Sequence, residues 1–501
     1  MNTNSRYGRL AAGVSLAVLS VASVASAQPL ANPLIPSSAR PATPEAVRNS
    51  LRPRVGVQAA VTDNVSSSNA NKQSDVIGRL SVGLDGRYDS PRLKLNARGD
   101  VLYDVYAKNQ KYDSLNLNGV LAAQYIVAPD ILAIEAAGVQ TQGSLTTFGS
   151  TDFYRAANAN DYKVGTYYVG PHLTLSPGVF DISAAARFGQ AFFGTRNSGA
   201  VQNLDSTTSF YQLIGAADTK DRLGRIRFVT SAQYQADDQD FESTSGSLSS
   251  FYQVTDRFTG ILRLGYDDAQ LTATQDIKSP FWSVGGQYAY NDRAHVRLEG
   301  GERFDKPYFA ADMLYQVSRT ITLAADYSIT QSPGAITINN VLVDYVGGLD
   351  QPLPLPGSSG SFSLDTTYFS QPSLNRIGRV RAGVDLGRQT VGLVLSSVEQ
   401  DFQTSVEDFH TLSQELVYAN QLRPDLQGSL SFFHANGTGN RFVGASTEGH
   451  YYQTSATADY GLNSRTRMMF RLTNRRFRAS GGVTSADFDE NIASVALLRQ
   501  F

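Results

Sequence analysis

Arginine recurs at alternate positions near the end of this 501-residue chain. One parity carries Arg465, Arg467, Arg471 and Arg475, and the other carries Met468, Phe470 and Leu472. Successive side chains of a β-strand point to opposite faces, so the pattern predicts a ladder of guanidinium groups along one wall. Guanidinium groups are planar, forked donors that can bind the carboxylates of an acidic sugar polymer or small anions.

Further charged residues occupy the same kind of alternating position. The predicted wall contains Arg79, Arg87, Arg98, Arg225, Arg227, Arg263, Arg297, Arg303, Arg379 and Arg381, with the carboxylates Asp85, Asp100, Glu299 and Asp385. These arginines could bind a ligand, or they could pair across strands with Asp75, Asp85, Asp100, Asp104, Glu299 and Asp385 and hold the wall together. Pairing is favoured for any single arginine. The four-arginine ladder is harder to neutralise, because the last segment offers only Asp489 and Glu490, so a local positive field is expected there.

Catalytic motifs are missing from the sequence. The five histidines, His172, His295, His410, His434 and His450, are scattered singly, and there is no Gly-x-Ser-x-Gly or His-Glu-x-x-His motif. A lone histidine on a strand is more often a wall residue than a ligand or a base. We therefore expect neither an enzyme nor a bound metal or cofactor.

Composition excludes several classes of protein. The formal net charge is −2, which does not indicate a nucleic-acid partner, and the absence of cysteine excludes disulfides and thiolate metal sites. The 25 tyrosines, 25 phenylalanines and 43 glycines, against one tryptophan, indicate a β-rich protein. After residue 27 we find no uncharged apolar run of about 18 residues, so no transmembrane helix is predicted.

Residues 1–27 have the pattern of a secretory signal peptide. Arg6 and Arg9 precede an apolar stretch, and Ala25-Ser26-Ala27 is a small-residue cleavage site. Residues 28–53 are rich in Pro, Ala and Ser and lack periodicity, so a flexible periplasmic segment is predicted there. The barrel is predicted to occupy residues 54–501.

Alternating polarity then repeats along the chain. In residues 75–88, Val76, Leu80, Val82, Leu84 and Tyr88 alternate with polar residues, and residues 93–105 repeat the pattern with the parity exchanged. Short turns, as at residues 88–92 and 463–465, alternate with longer polar connections, as at residues 143–161 and 436–449. This is typical of outer-membrane barrels. We predict an all-β fold, a single transmembrane antiparallel β-barrel of about 22 strands, with an uncertainty of about 16 to 24, closed by residues 54–64 against 489–501.

The last residue, Phe501, ends an alternating strand. Ala493, Val495, Leu497 and Phe501 share one parity, and a terminal aromatic residue resembles the assembly signal of outer-membrane barrels. Arg499 falls on the same apolar face, where its position near the membrane boundary lets the guanidinium reach the headgroups. Outer-membrane lipid and the barrel-assembly machinery are therefore the expected partners.

The first hairpin contains a more specific resemblance. Residues 56–65, Gly-Val-Gln-Ala-Ala-Val-Thr-Asp-Asn-Val, are followed by Gln73-Ser74-Asp75 and Gly83-Leu-Asp-Gly-Arg87. This pattern resembles the outer-membrane β-barrel porin family associated with exopolysaccharide gene clusters, over roughly residues 54–130. The resemblance implies a bacterial outer-membrane pore that takes part in polysaccharide export, with polysaccharide and periplasmic export components as partners.

Three functions follow as hypotheses. The first is an aqueous path for exopolysaccharide export, the second a general or solute-specific diffusion porin, and the third an outer-membrane protein that docks an envelope complex through residues 28–53. A plugged active receptor is disfavoured, because few residues precede the first predicted strand. The longest connection, residues 332–372, could fold inward as a constriction or outward as a surface loop.

Overall fold

The computed structural model describes the barrel strands and most of the short turns. The described residues are 49–66, 69, 72–144, 161–195, 206–238, 241–272, 275–291, 293–332, 373–402, 409–438, 448–480 and 487–501. The predicted signal peptide and almost all of the predicted periplasmic segment lie outside them, so both stay predictions. The predicted connection at residues 332–372, apart from Ser332 itself, also lies outside the described residues.

The described chain forms 22 antiparallel strands and two short 3-10 helices. The strands are β1 Asn49–Thr62, β2 Asp75–Asp89, β3 Leu93–Tyr106, β4 Ser114–Ala128, β5 Leu132–Ser144, β6 Asp161–Leu175, β7 Asp181–Thr195, β8 Ser206–Asp218, β9 Ile226–Asp237, β10 Glu242–Gln253, β11 Phe258–Thr272, β12 Gln275–Asn291, β13 Ala294–Arg303, β14 Lys306–Gln316, β15 Ile321–Ser332, β16 Ser373–Asp385, β17 Gln389–Phe402, β18 Phe409–Arg423, β19 Leu426–Thr438, β20 Glu448–Asn463, β21 Thr466–Ala479 and β22 Phe488–Gln500. The helices are η1 Gln110–Tyr112 and η2 Lys220–Leu223.

Each strand pairs with its neighbours in sequence, and the last strand pairs with the first. The register between β1 and β22 runs from Arg54 opposite Gln500 to Thr62 opposite Ile492. The Phe501 amide donates to the Pro53 carbonyl at 3.0 Å. The predicted closed barrel of 22 strands is therefore confirmed, as is the pairing of its ends.

The first strand begins at Asn49, before the predicted boundary at Arg54. Residues 49–53 pair with β2, from Asn49 opposite Tyr88 to Pro53 opposite Leu84. The Pro, Ala and Ser content of residues 28–53 and their lack of periodicity predict a flexible segment up to this boundary, so the prediction is wrong for residues 49–53. The Pro53 carbonyl faces β22, and an N–H at this position would point to the same side. Because β22 ends there, the missing backbone hydrogen bond of proline is tolerated.

Large apolar side chains cover the outside of the barrel at alternate positions. Val57 is 57% exposed, Leu80 48% and Leu472 60%, and the residues between them are mostly polar, small or buried. The alternation predicted for residues 75–88 is confirmed, since Val76, Leu80, Val82, Leu84 and Tyr88 are all exposed. Lipid favours an apolar outer surface. It also requires a closed sheet, because closure gives every backbone group a hydrogen-bond partner.

Among the described helices, none is long and apolar enough to cross a membrane.

A small packed cluster lies on the inner side at one end of the closing seam. It extends across β19 to β22 and consists of Ala435, Tyr451, Phe477 and Phe488. Phe477 packs over Gly449 of the adjacent strand, where an added Cβ would lie 2.5 Å from the ring. Gly265 faces Phe281 in the same way. Glycine is required at these positions because the aromatic ring occupies the space of a side chain.

We predict that Gly449→Ala destabilises the barrel by about 1–3 kcal/mol, because the new methyl group overlaps the Phe477 ring and the Arg478 carbonyl, which limits relaxation. Gly78→Ala is the matched control, since nothing lies within 4 Å of its added Cβ. Urea unfolding of both variants in detergent micelles, followed by heat-modifiable electrophoretic mobility, measures the difference in unfolding midpoint. Equal midpoints for the two variants would contradict the packing.

Candidate functional site

The candidate site is the lumen face, defined here as the set of side chains that alternate with the exposed apolar residues. On β2 this face carries Asp75, Ile77, Arg79, Asp85 and Arg87. By the same alternation, the predicted wall arginines that lie within the other strands also belong to the lumen face. A role of these arginines in transport stays a prediction.

A four-membered charge network spans β1, β2 and β3. Arg54, whose side chain is 3% exposed, lies 3.0 Å from Asp85 and 3.2 Å from Asp100. Arg98 lies 3.6 Å from the same Asp85. Gly83 makes the network possible, because an added Cβ would collide with the Asp100 carboxylate and come within 3.1 Å of the Arg54 guanidinium. Sequence reasoning missed Arg54, which stands at the predicted start of the first strand.

Nearer the other end of these strands, Arg79 donates two hydrogen bonds to Asp104, at 2.5 and 2.7 Å. Asp75 does not pair with an arginine in this way. Its carboxylate accepts from the backbone amides of Lys108 and Asn109, both at 3.0 Å, and so holds the connection after β3. The predicted pairing of Asp75 is therefore wrong, because the amides of that connection reach the carboxylate.

A second charged region extends across β11 to β13. Glu299 accepts from Arg297 Nε at 2.7 Å, lies 3.7 Å from Arg263, and accepts from the Ser283 hydroxyl at 3.1 Å. Arg303 donates two hydrogen bonds to Asp267, at 2.8 and 3.0 Å. The Glu299 carboxylate is thus shared by two guanidinium groups, and Asp267 binds a third.

Three further arginines of the lumen face also lie beside carboxylates. Arg227 donates to Asp218 at 2.8 and 2.5 Å. Arg381 forms an ion pair with Asp326, and the buried Arg379 stands opposite Asp326 in the β15–β16 register. Pairing across the wall, the favoured interpretation, is therefore observed for these strands.

Arg225 occupies another position than predicted, and Asp385 lies at the very end of its strand. Arg225 precedes β9 and is exposed in the connection after η2, so it lies outside the strand wall. Asp385 ends β16, and its carboxylate accepts from the Gly387 amide at 2.7 Å. Asp385 therefore shapes a turn, which its strand-like sequence context did not indicate.

The arginine ladder of β21 differs from the prediction. Arg465 lies in the turn before the strand, where its amide donates to the Asn463 side chain at 2.9 Å. Arg467 pairs with Asp459 of β20 at 2.9 Å, and the 1% exposed Arg475 pairs with the fully buried Glu490 of β22 at 2.9 Å. Arg471 stays on the lumen face. Two of the four ladder arginines are thus paired with carboxylates, one of them on β20, and the expected positive field stays a prediction.

The Thr62-Asp63-Asn64-Val65 segment, which carried the family resemblance, closes the seam. The Asp63 carboxylate accepts from the amide and from the side chain of Asn491, each at 2.8 Å. The side chain of Asn64 donates to the Asp489 carbonyl at 2.8 Å, and the Thr62 hydroxyl donates to Glu490 at 2.8 Å. We call these contacts the seam lock.

The seam lock also involves charge outside the strands. The Asp63 carboxyl, just after β1, has a pKa below its ordinary value. Burial would raise the pKa, but the hydrogen bonds from Asn491 and the neighbouring Lys72 ammonium outweigh burial. Asp63 is therefore an anion at neutral pH, which strengthens its hydrogen bonds to β22.

The histidines are less isolated than their spacing indicates. His434 stacks on Tyr452, with ring centroids 4.5 Å apart, and its Nε2 lies 3.4 Å from His450 Nδ1. His295 bonds to Asp312 at 2.8 Å. Within the part of the chain that the structure describes, no group of three or more His, Cys, Asp or Glu side chains is placed to hold a metal ion.

Comparison with known proteins gives the fold. No family model and no curated protein matches the sequence, so membership of the exopolysaccharide-associated porin family stays a prediction. Among solved structures, the siderophore receptor PirA of Acinetobacter baumannii is similar, with a TM-score of 0.53 and 9% identity over 90% of this chain and 81% of that chain. A mutant of the ferric enterobactin receptor PfeA of Pseudomonas aeruginosa gives 0.51 and 11%, over 90% and 80%. OpdK of P. aeruginosa with vanillate gives only 0.37 and 10%, over 90% and 99%.

Together with the apolar outer surface, this fold places the chain in the bacterial outer membrane as a β-barrel. At such low identity the likeness shows the fold alone.

We predict that Glu490→Gln costs about 3–5 kcal/mol of stability, because it leaves the buried Arg475 charge without its counterion. Asp459→Asn is the matched control: its partner Arg467 is 44% exposed, so breaking that pair should cost no more than about 1 kcal/mol. Urea midpoints of the folded barrel measure both. An equal loss of stability in the two variants would show that burial of an ion pair does not determine the cost of breaking it.

Proposed function

We propose that the barrel provides an aqueous path for the export of a polysaccharide across the outer membrane. The observation that carries the proposal is the lumen wall, where paired charges leave a surface that is polar but locally neutral. A hydroxyl-rich polymer can exchange many weak hydrogen bonds along such a wall, whereas strong unpaired charges would hold a charged solute in place. The resemblance of the first hairpin to the porin family associated with exopolysaccharide gene clusters also supports a role in export.

Strands β9 and β10 provide the clearest stretch of neutral polar wall. Their lumen face carries serine and glutamine side chains, Ser231, Gln233, Gln235, Ser243, Ser245, Ser247 and Ser249. Ser231 and Ser247 share a hydrogen bond at 2.8 Å, and Gln233 donates to Gln235 at 2.9 Å. Hydroxyl and amide groups both donate and accept, so they can exchange partners with sugar hydroxyls.

A deletion strain tests the proposal directly. Loss of surface polysaccharide, restored by the full-length chain, is expected, because the polymer would have no path through the outer membrane. Uptake of small solutes should be unchanged. Normal polysaccharide with reduced solute uptake would overturn the proposal in favour of a diffusion porin, and normal values of both would favour a docking role.

A second prediction concerns the charge balance of the wall. Asp100→Asn removes one carboxylate from the network around Arg54 and should shift ion selectivity toward anions. The expected change is a factor of about two to five, since two unit charges a few ångströms apart in water interact by about 1 kcal/mol. Reversal potentials in planar bilayers under a salt gradient measure the shift.

The control for this experiment is Asp489→Asn. Asp489 pairs with Arg476 at 2.7 Å and has the outward parity of β22, so the same change in charge occurs away from the lumen. An equal shift in both variants would mean that selectivity is not set at the Arg54 network.

A further inference from the structure

Three neighbouring strands place a serine, a histidine and a glutamate in one line on the lumen face. His172 Nε2 on β6 lies 3.1 Å from the Ser183 hydroxyl on β7. His172 Nδ1 lies 2.5 Å from Glu135 Oε1 on β5. The imidazole thus joins a hydroxyl at one ring nitrogen to a carboxylate at the other.

Strand register produces this line. His172 stands opposite Ala133 on one side and Ala185 on the other. Ser183 is opposite Thr174, and Glu135 is opposite Gly170, so both contacts of His172 run diagonally to the adjacent strand. Diagonal neighbours are within reach of long side chains. The two alanines leave open space beside the imidazole.

Glu135 is held from its other side by Arg187. The Arg187 guanidinium lies 3.7 Å from Glu135 Oε2, donates to Gln212 at 3.2 Å and packs over the Tyr168 ring at 5.4 Å. Gly170 stands between the two charged residues, and an added Cβ there would collide with the Ala186 carbonyl. Glu135 is 4% exposed and Arg187 6%, so the carboxylate is anchored.

Accessibility increases along the line from Glu135 to Ser183. Glu135 is buried, the His172 side chain is 29% exposed and Ser183 is exposed. This order suits a nucleophile that meets a substrate, a base behind it and an anchored carboxylate that orients the base. No sequence motif reveals this arrangement, since the three residues come from separate strands without a shared sequence signature.

We infer that Ser183, His172 and Glu135 form a nucleophilic site for short acyl esters of water-soluble carriers, an activity beyond the proposed transport. Ser183 Oγ attacks the ester carbonyl while its proton passes to His172 Nε2. The carbon–oxygen bond of the ester then breaks, the alcohol leaves with that proton, and an acyl-serine remains. Water attacks the acyl-serine, gives its proton to His172, and releases the carboxylic acid while Ser183 regains a proton.

The surroundings limit the substrate and the rate. The residues directly opposite His172 and Ser183 on the adjacent strands are small, namely Ala133, Ala185, Thr174 and Ala216, which favours a small acyl group in an aqueous channel. Ser183 lies within a strand paired on both sides, so its amide belongs to the sheet instead of an oxyanion hole. Acylation should therefore be slow, and covalent labelling is a sharper measurement than turnover.

The test uses the full-length barrel folded in detergent and a fluorophosphonate probe, with the modified residue identified by peptide mass spectrometry. Labelling is expected at Ser183 and should vanish in Ser183→Ala. His172→Asn should slow it by about 100-fold or more, because the general base is lost. Both substitutions change lumen-exposed side chains, and heat-modified gel mobility confirms that each variant is folded.

The chain offers a matched control in His295, which bonds to Asp312 as His172 bonds to Glu135. His295→Asn should leave the labelling rate unchanged. No label at Ser183 in the folded wild-type barrel would overturn the inference. Labelling that persists at the same rate in His172→Asn, or that falls equally in His295→Asn, would also overturn it. The labelling test does not depend on transport, so its outcome is independent of the polysaccharide export experiment.

Discussion

The structure depends on the closure of the sheet between β1 and β22. In lipid no water is available to an open strand edge, so each backbone N–H and C=O must find a partner within the sheet. The pairing of Arg54 through Thr62 with β22 meets this requirement, and the Phe501 amide completes it at Pro53. At the opposite end, the seam lock ties Asp63 and Asn64 to β22. A hairpin motif that looked like a family signature is thus part of the closure.

Closure also decides how charge can be accommodated. The large side chains of the outward face are mainly apolar, so buried charge is found on the lumen face, where its neighbours lie on other strands. Buried charge there is tolerated because it is paired: Arg54 lies between Asp85 and Asp100, and Arg475 is neutralised by Glu490. The wall that results is polar and nearly balanced, which is the property that both the export proposal and the selectivity prediction use.

Glycine on the lumen face has a recurring part in these contacts. Gly83 lets Arg54 and Asp100 meet, and Gly170 lets Glu135 approach Arg187 across an intervening strand. Gly449 accepts the Phe477 ring. Each contact joins residues that are far apart in sequence, and each depends on a missing side chain on the strand between or beside them. Such sites cannot be recognised from spacing along one strand.

The sequence by itself determined the architecture, because the period-two alternation of Val76 to Tyr88 and its repeats is local, and lipid imposes it on every strand. It also determined the identity of the two closing strands and which face most arginines occupy. Only the tertiary structure decided the partners: Asp459 for Arg467, Asp104 for Arg79, and Ser183 and Glu135 for His172. Those partners depend on the register between strands. Register follows from turn geometry and barrel closure, to which all 22 strands contribute together.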